Sequence, residues 1–283
     1  MTDTMTLDSI SNEKCEETMS KMDSGSVDII LTSPPYCTSN RGGRNSKLNL
    51  ETSRMKGYPK LRYDMFIDNM PTDEYVDWTV KLFSEFDRIL KPNGCVLYNI
   101  SYSSPNRETM FLAVADIIRK SSFTIADWIG WKKPSALPNN MSTNKLTRIF
   151  EPVFVFARKS EINTFICNKK VASVREKTGQ KVYENIFNFI EAANNDGPCN
   201  LNKATYSSEL CERLLSIYGK SGMTVYDPFM GTGTTAVAAK RLGIHFLGSE
   251  ISPKQCRYAE ERISRVDGPH GGKSVQTELF AEV

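Results

Sequence analysis

The sequence of 283 residues contains only two histidines, and its seven cysteines are scattered along the chain. No two cysteines stand in a Cys-x-x-Cys pair, so the sequence shows neither the ligand spacing of a zinc site nor a disulfide framework. Unpaired cysteines are typical of proteins in a reducing compartment. We therefore predict a cytoplasmic protein that binds no metal.

Long apolar stretches and a strong net charge are also missing. No apolar run reaches the roughly 18 residues that a membrane span needs, and the N-terminus is too polar and acidic for a signal peptide. The formal net charge is only +3, which does not by itself indicate a nucleic-acid partner. The length suits one large α/β domain, and we expect a single catalytic domain over residues 1–283 without a membrane partner.

One short motif follows an apolar stretch of buried-strand type at 27–31. It reads Ser33-Pro34-Pro35-Tyr36. Two successive prolines lack the N–H that a central strand needs, so they end the strand in a stiff turn. In open α/β sheets, ligands bind at the carboxyl ends of strands. Alone, the motif fits a binding turn or an ordinary strand-ending loop.

A second motif, Asp-Pro-Phe-Met-Gly-Thr-Gly-Thr-Thr at 227–235, reads as the end of a strand, a glycine turn and the start of a helix. Glycine lets the backbone approach a ligand closely, and a helix start presents N–H groups. Glu250 ends the next predicted strand, and an acid at about this distance suits a ribose diol. The third glycine of a dinucleotide site and the Gly-Lys-Thr of a nucleoside triphosphate site are both absent.

Together and in this order, the two motifs resemble those of the beta group of DNA amino-methyltransferases, bacterial or phage modification methylases that use S-adenosylmethionine. Trp-Lys-Lys-Pro at 131–134 and Arg-Ile-Phe-Glu at 148–151 also match that group. The resemblance implies a Rossmann-like, S-adenosylmethionine-dependent α/β methyltransferase fold. It should have a mostly parallel seven-stranded sheet, helices on both faces and a circularly permuted motif order. Apolar periodicity adds helices at 71–90 and 108–120, and strands at 123–131 and 152–157.

The resemblance also implies a set of site residues. The expected catalytic residues are Ser33, Pro34, Pro35 and Tyr36. The expected cofactor-binding residues are Thr32, Asp227, Pro228, Phe229, Gly231, Gly233, Thr234, Thr235, Glu250 and Thr205. The family has a Gly-Asp pair near the N-terminus whose acid contacts the cofactor adenine. This chain has Glu13-Lys14 there, so neither residue is assigned.

Basic residues cluster in two loops. Residues 37–62 hold seven basic residues against one acid, which fits either a solvated loop or a loop that contacts DNA phosphates. Because this segment follows the catalytic motif, we predict a DNA-facing loop in which Arg41, Arg44 and Lys47 bind DNA. Lys132, Lys133 and Arg148 lie in the second loop, which borders the base pocket in the family, and we predict that they also bind DNA. Residues 158–200 are expected to form a small target-recognition region, and 268–283 a disordered tail.

The predicted activity is site-specific methylation of the exocyclic N4 amine of a flipped-out cytosine in double-stranded DNA. The choice of cytosine over adenine is based on Ser33, the first residue of the motif, because in the family serine at this position mostly accompanies cytosine. The Ser33 hydroxyl could accept from the amine or donate to the neighbouring ring nitrogen. N6-adenine methylation is the alternative, followed by an RNA methyltransferase or an inactive DNA-binding module. The sequence does not decide whether a separate restriction endonuclease is a partner, or whether the protein is a monomer or a dimer.

Methylation at cytosine carbon 5 is disfavoured, because that reaction needs a cysteine nucleophile. The corresponding family motif is Pro-Cys-Gln after a strand. This chain has Pro198-Cys199-Asn200 in a polar loop.

Overall fold

The computed structural model describes residues 5–36, 70–102, 107–136, 143–144, 146–199, 201–202 and 205–268. The predicted DNA-facing loop at 37–62 lies outside these ranges, as does the predicted tail after residue 268. The described strands are β1 (Ser9–Ser11), β2 (Val27–Thr32), β3 (Leu90–Asn99), β4 (Phe123–Lys132), β5 (Phe150–Arg158), β6 (Val171–Val174), β7 (Lys181–Tyr183), β8 (Phe189–Glu191), β9 (Thr224–Asp227) and β10 (His245–Ser249). The described helices are α1 (Cys15–Lys21), α2 (Thr72–Ile89), α3 (Thr109–Lys120), α4 (Ser208–Tyr218), α5 (Thr234–Arg241) and α6 (Pro253–Ser264).

One large sheet organises the fold, with the strand order β1-β10-β9-β2-β3-β5-β4-β8. Among the described strands of this sheet, β5 runs antiparallel to its neighbours β3 and β4, and the other neighbouring strands pair in parallel. The predicted mostly parallel α/β sheet is therefore confirmed, as are the strands predicted at 123–131 and 152–157, which are the antiparallel neighbours β4 and β5.

The predicted count of seven strands is wrong for the described part of the chain, where the sheet has eight. The shortest strands carry little sequence signal. Phe189–Glu191 pairs in parallel with the end of β4, and only Ile190 of its three residues is buried. Such a short strand shows no apolar alternation long enough to recognise.

Helices cover both faces of the sheet, as predicted, and the strands alternate between two cores. Ile30 and Val96 face the core formed with α1, α2 and α3. Their neighbours Leu31 and Leu97 face the core formed with α4 and α5. Because successive strand residues point to opposite faces, a central strand buried on both sides reads as a continuous apolar run.

The central position of β2 brings the two motifs together. β2 lies between β3 and β9, and it pairs in parallel with β9 through Ile29 and Val225. Parallel neighbours end at the same edge of a sheet, so Thr32 and Asp227 end their strands side by side.

The region 158–200 contains β8 and a separate antiparallel pair formed by β6 and β7. Within the described ranges, no helix is long and apolar enough to cross a membrane.

Candidate active site

Asp227 lies at the junction of the two motifs and is almost fully buried. Its Oδ1 accepts hydrogen bonds from Thr32 Oγ1 at 2.8 Å and from the Phe229 backbone N–H at 3.0 Å. Its Oδ2 accepts from Thr235 Oγ1 at 2.6 Å and from the Tyr206 hydroxyl at 3.1 Å. A carboxylate has about four acceptor sites, and four donors of the chain itself therefore occupy those of Asp227. Asp227 therefore joins segments that surround the cavity, and its expected contact with the cofactor stays a prediction.

Burial also changes the acidity of Asp227. Loss of hydration raises the pKa of this carboxyl above its usual value, and the hydrogen bonds from Thr235, Phe229, Thr32 and Tyr206 oppose that rise. Tyr206 lies in the same buried network, since its hydroxyl is 2.6 Å from Thr235 Oγ1. Sequence reasoning missed Tyr206, although it directly follows the predicted Thr205.

The predicted catalytic turn, residues 33–36, is held by two further elements. Ser33 Oγ lies 2.8 Å from the Tyr36 hydroxyl, which donates to Asn99 Oδ1 at 2.9 Å. From α2, the Tyr75 hydroxyl donates to the Pro35 carbonyl at 2.7 Å. The stiffness expected from the two prolines is thus reinforced by contacts with β3 and α2. Asn99 was not predicted, and its only signal in the sequence is a polar residue at the end of an apolar strand.

The glycine turn and Glu250 form another part of the site. Glu250 Oε2 accepts from the Gly231 N–H at 2.9 Å, and Oε1 accepts from the Ser252 N–H at 2.8 Å. Gly231 and Gly233 have φ values of +55° and +81°, which favour glycine. A Cβ at Gly233 would also lie 2.8 Å from the Cβ of Ala259. The turn therefore packs tightly on α6 while its backbone borders the cavity.

A cavity of about 320 Å³ lies between these segments. Of the predicted residues, those that line it are Ser33, Pro35, Thr205, Pro228, Phe229, Gly231, Thr234 and Glu250. The predicted Thr32, Pro34, Tyr36, Asp227, Gly233 and Thr235 are not among the lining residues of this cavity. Residues that sequence reasoning missed include Cys15, Glu16, Met70, Trp78, Asn202, Met230 and Gln255. Glu13 and Lys14, which were left unassigned, also line it.

Trp78, which lies within the predicted helix at 71–90, forms one wall of the cavity. Its ring centroid lies 5.7 Å from that of Phe229, and its Nε1 donates to Glu16 Oε1 at 2.8 Å. Burial by itself would raise the pKa of Glu16. Hydrogen bonds from Trp78, from backbone and from Cys15 outweigh burial, so the pKa of Glu16 is lowered. Glu16 therefore places a negative charge beside the Trp78 ring at neutral pH.

Of the six predicted DNA-binding residues, three lie in the described part of the chain. Arg41, Arg44 and Lys47 lie outside the described residues. Lys132 pairs with Glu191 at 2.7 Å, and Lys133 pairs with Glu151 and lies over the Trp131 ring at 4.4 Å. Arg148 donates to the Tyr102 carbonyl and lies over the Tyr102 ring. These three residues are engaged within the chain, and their contact with DNA stays a prediction.

The region 158–200 is tied to the glycine turn through one arginine. Arg262 on α6 forms an ion pair of 2.6 Å with Asp196 and donates to the Thr232 carbonyl at 2.8 Å. Cys199, the residue considered for carbon methylation, is absent from the cavity lining. Within the described ranges, no cluster of three or more histidine, cysteine or acidic residues could hold a metal ion.

Comparison with known proteins agrees with this arrangement. The sequence model of a family described as DNA methylase, N6_N4_Mtase, matches residues 27–261. The type II methyltransferase M2.DpnII of Streptococcus pneumoniae is 28% identical over 251 residues, which cover 87% of this chain and 85% of that protein.

Solved structures also match the fold. The cytosine-N4-specific PvuII DNA methyltransferase has a TM-score of 0.66 at 17% identity, covering 98% of this chain and 91% of that one. The complex of M1.HpyAVI with S-adenosylmethionine has a TM-score of 0.54 at 20% identity, covering 90% of this chain and 98% of that one. At these identities the two structures confirm the predicted methyltransferase fold.

Proposed function

The chain belongs to the N6/N4 family of S-adenosylmethionine-dependent DNA methyltransferases, and from this premise we propose that it methylates the exocyclic N4 amine of cytosine in double-stranded DNA. One observation supports the proposal most strongly. Ser33 and Pro35 line the same cavity as Phe229, Gly231 and Glu250. A group held by the catalytic turn would therefore lie next to a ligand held by the glycine turn.

The residues of the cavity fit S-adenosylmethionine, which supplies an electrophilic methyl group on a positively charged sulfur when it is bound. Glu250 presents a carboxylate suited to a ribose diol. Trp78 and Phe229 offer apolar aromatic walls suited to an adenine ring. Gly231 has no side chain to separate its backbone from the ligand.

The catalytic turn has to make a poor nucleophile reactive. The lone pair of an exocyclic base amine is delocalised into the ring, and two acceptors for the two N–H bonds would localise it and aim it. We assign these acceptor roles to the Ser33 hydroxyl and the Pro34 carbonyl. The amine becomes acidic once it is methylated, so no general base with a raised pKa is needed. Catalysis then rests on positioning and on fixed dipoles.

Tyr36 is assigned to the target base. Flipping a base out of the duplex costs a few kcal/mol, which stacking on an aromatic ring helps to offset. The Tyr36 hydroxyl is bonded to Asn99, so the ring is held beside Ser33. Because the ring is already held in place, less conformational entropy is lost when a base stacks on it.

Ser33 supports cytosine rather than adenine. Its hydroxyl is short and neutral, and in the family serine at this position mostly accompanies cytosine. The PvuII enzyme is described as cytosine-N4-specific, but at its low identity the likeness concerns the fold. The base choice in this proposal therefore rests on the one side chain that would touch the amine.

The test is to incubate the purified protein with S-adenosylmethionine and duplex DNA, digest the DNA and identify the methylated nucleoside by mass spectrometry. We expect N4-methylcytosine. Single-stranded DNA and tRNA are assayed in parallel and should accept less methyl. N6-methyladenine without methylcytosine would contradict the base assignment while leaving the DNA methyltransferase activity intact.

A further inference from the structure

We propose that Asn99 is a positioning residue that acts through Tyr36 to fix the proton of the Ser33 hydroxyl. This inference rests on the proposed methylation of an exocyclic amine, but not on which base carries the amine. The relevant contacts form a chain from Ser33 to Tyr36, Asn99 and Pro152. The directions of its hydrogen bonds follow from the donors and acceptors that each group has.

Pro152 sets the orientation of the Asn99 amide. Asn99 Nδ2 donates to the Pro152 carbonyl oxygen at 3.1 Å, and this oxygen can only accept. The reverse orientation of the amide would place two oxygens against each other. Asn99 is only 2% exposed, so water has little access to replace this bond. The Asn99 Oδ1 atom therefore faces Tyr36 as an acceptor.

The orientation of Asn99 then decides the Ser33–Tyr36 contact. The Tyr36 hydroxyl has one proton, and it donates this proton to Asn99 Oδ1 at 2.9 Å. In the 2.8 Å contact with Ser33 Oγ, the Tyr36 oxygen can therefore only accept. The proton of Ser33 must point at Tyr36, which directs the lone pairs of Ser33 Oγ elsewhere.

This proton arrangement selects one of the two roles that Ser33 could have. Ser33 lines the cavity, and its oxygen can accept an N–H from the target amine while its own proton is held by Tyr36. Donation from Ser33 to a ring nitrogen would require breaking the bond to Tyr36. The structure thus assigns Ser33 as an acceptor for the amine, with its hydroxyl oriented before the base arrives.

Removing the relay should lower the rate of methyl transfer without weakening substrate binding. Without Tyr36 as an acceptor, the Ser33 proton can rotate towards the amine, where it opposes the required hydrogen bond. For Tyr36→Phe, which keeps the aromatic ring, we expect a roughly 5- to 20-fold lower single-turnover rate at saturating DNA and cofactor. The Kd values for DNA and for S-adenosylmethionine should stay within about twofold.

A double-mutant cycle tests whether Asn99 acts through Tyr36. Asn99→Leu should lower the rate by a similar factor, and the Tyr36→Phe/Asn99→Leu double variant should be no slower than the slower single variant. Asn99→Asp should recover most of the rate below neutral pH. A buried carboxyl takes up a proton, and it can then donate to Pro152 while accepting from Tyr36. A purely structural role would not give this pH-dependent rescue.

The outcomes separate the relay from the proposed function, because the wild-type protein is assayed on the same DNA. A Tyr36→Phe variant with the wild-type rate overturns the relay and leaves the proposed function intact, as do additive effects in the double variant. A wild-type protein that leaves DNA unmethylated overturns both. Thermal unfolding of each variant checks folding. Tyr36→Phe decides the question alone if the Asn99 variants unfold.

Discussion

Thr32 Oγ1 donates a hydrogen bond of 2.8 Å to Asp227 Oδ1, although the two residues are 195 positions apart in the sequence. Both lie at the carboxyl ends of neighbouring parallel strands, immediately before the catalytic turn and within the start of the glycine turn. Both are fully or almost fully buried. The bond therefore joins the turn that would hold the base to the loop that would hold the cofactor.

Thr32→Val removes this donor while keeping the shape of the side chain. The Asp227 carboxylate then stays buried with one hydrogen bond fewer, and we expect a loss of about 1–3 kcal/mol in the free energy of unfolding. Urea denaturation measures the loss. Thr124→Val, at a half-buried threonine of β4, is the matched control. A loss no larger than that of the control would contradict the structural role of the bond.

The destabilisation by Thr32→Val should depend on pH. The folded-state pKa of Asp227 is raised by burial, and the bond from Thr32 works against that rise. The unfolded chain therefore releases this proton at a lower pH than the folded chain, and stability falls as pH rises between the two pKa values. Without Thr32 the ionised carboxylate is less well solvated, so the variant should lose more stability near neutral pH than in acid. Urea denaturation across pH 4–7 measures the difference, and equal losses throughout would contradict it.

Part of the site was predictable because its chemistry is local in the sequence. Pro34 and Pro35 end a strand, and Gly231 and Gly233 need positive φ, so each motif indicates its own turn. The pairing of β2 with β9 came from the structure, since no local pattern specifies it. The predicted fold is confirmed, but the predicted number of strands was too low for the described residues, because the three residues Phe189–Glu191 join the edge of the sheet by backbone pairing.

The site residues that the sequence did not predict have side chains that could serve either the packing of the fold or the site. Trp78 lies at helical spacing with core residues, and that spacing is the same whether the ring faces the core or a cavity. Asn99 is one polar residue at the end of an apolar strand, and its function depends on Tyr36 and Pro152, which lie far away in the sequence. Glu16 gains its role from Trp78 in the same way. Such roles arise from tertiary contacts, which periodicity does not encode.

Glu250→Ala should weaken the binding of S-adenosylmethionine by roughly 1–3 kcal/mol, the usual cost of losing a charge-assisted hydrogen bond. The structure adds a second cause, because Glu250 also accepts from the Gly231 and Ser252 N–H groups. Isothermal titration calorimetry measures the affinity, with Glu260→Ala on the exposed side of α6 as the control. Unchanged affinity in the Glu250 variant would remove this residue from the cofactor site.

Neutralising Arg41, Arg44 and Lys47 together should weaken binding to every DNA sequence. If each contacts one phosphate, the slope of log affinity against log salt should fall by about 3. Fluorescence anisotropy at several salt concentrations measures it. Lys132→Gln with Lys133→Gln is the comparison, because both lysines are paired with carboxylates and should change the slope less. An unchanged slope in the triple variant would mean that these three residues of the predicted DNA-facing loop do not contact DNA phosphates.

Ser33→Ala should abolish most methyl transfer while leaving the affinity for S-adenosylmethionine within about twofold. The hydroxyl would act on the amine of the base, and removing a single fixed acceptor or donor at a reacting group typically costs about 10²–10³ in rate. The cofactor would instead be held by Glu250 and the glycine turn, which line the same cavity as Ser33. Single-turnover assays give the rate and calorimetry gives the affinity, with Ser264→Ala on the exposed end of α6 as the control. A parallel loss of cofactor affinity would place Ser33 in the cofactor site, and an unchanged rate would leave the amine to be positioned by the backbone alone.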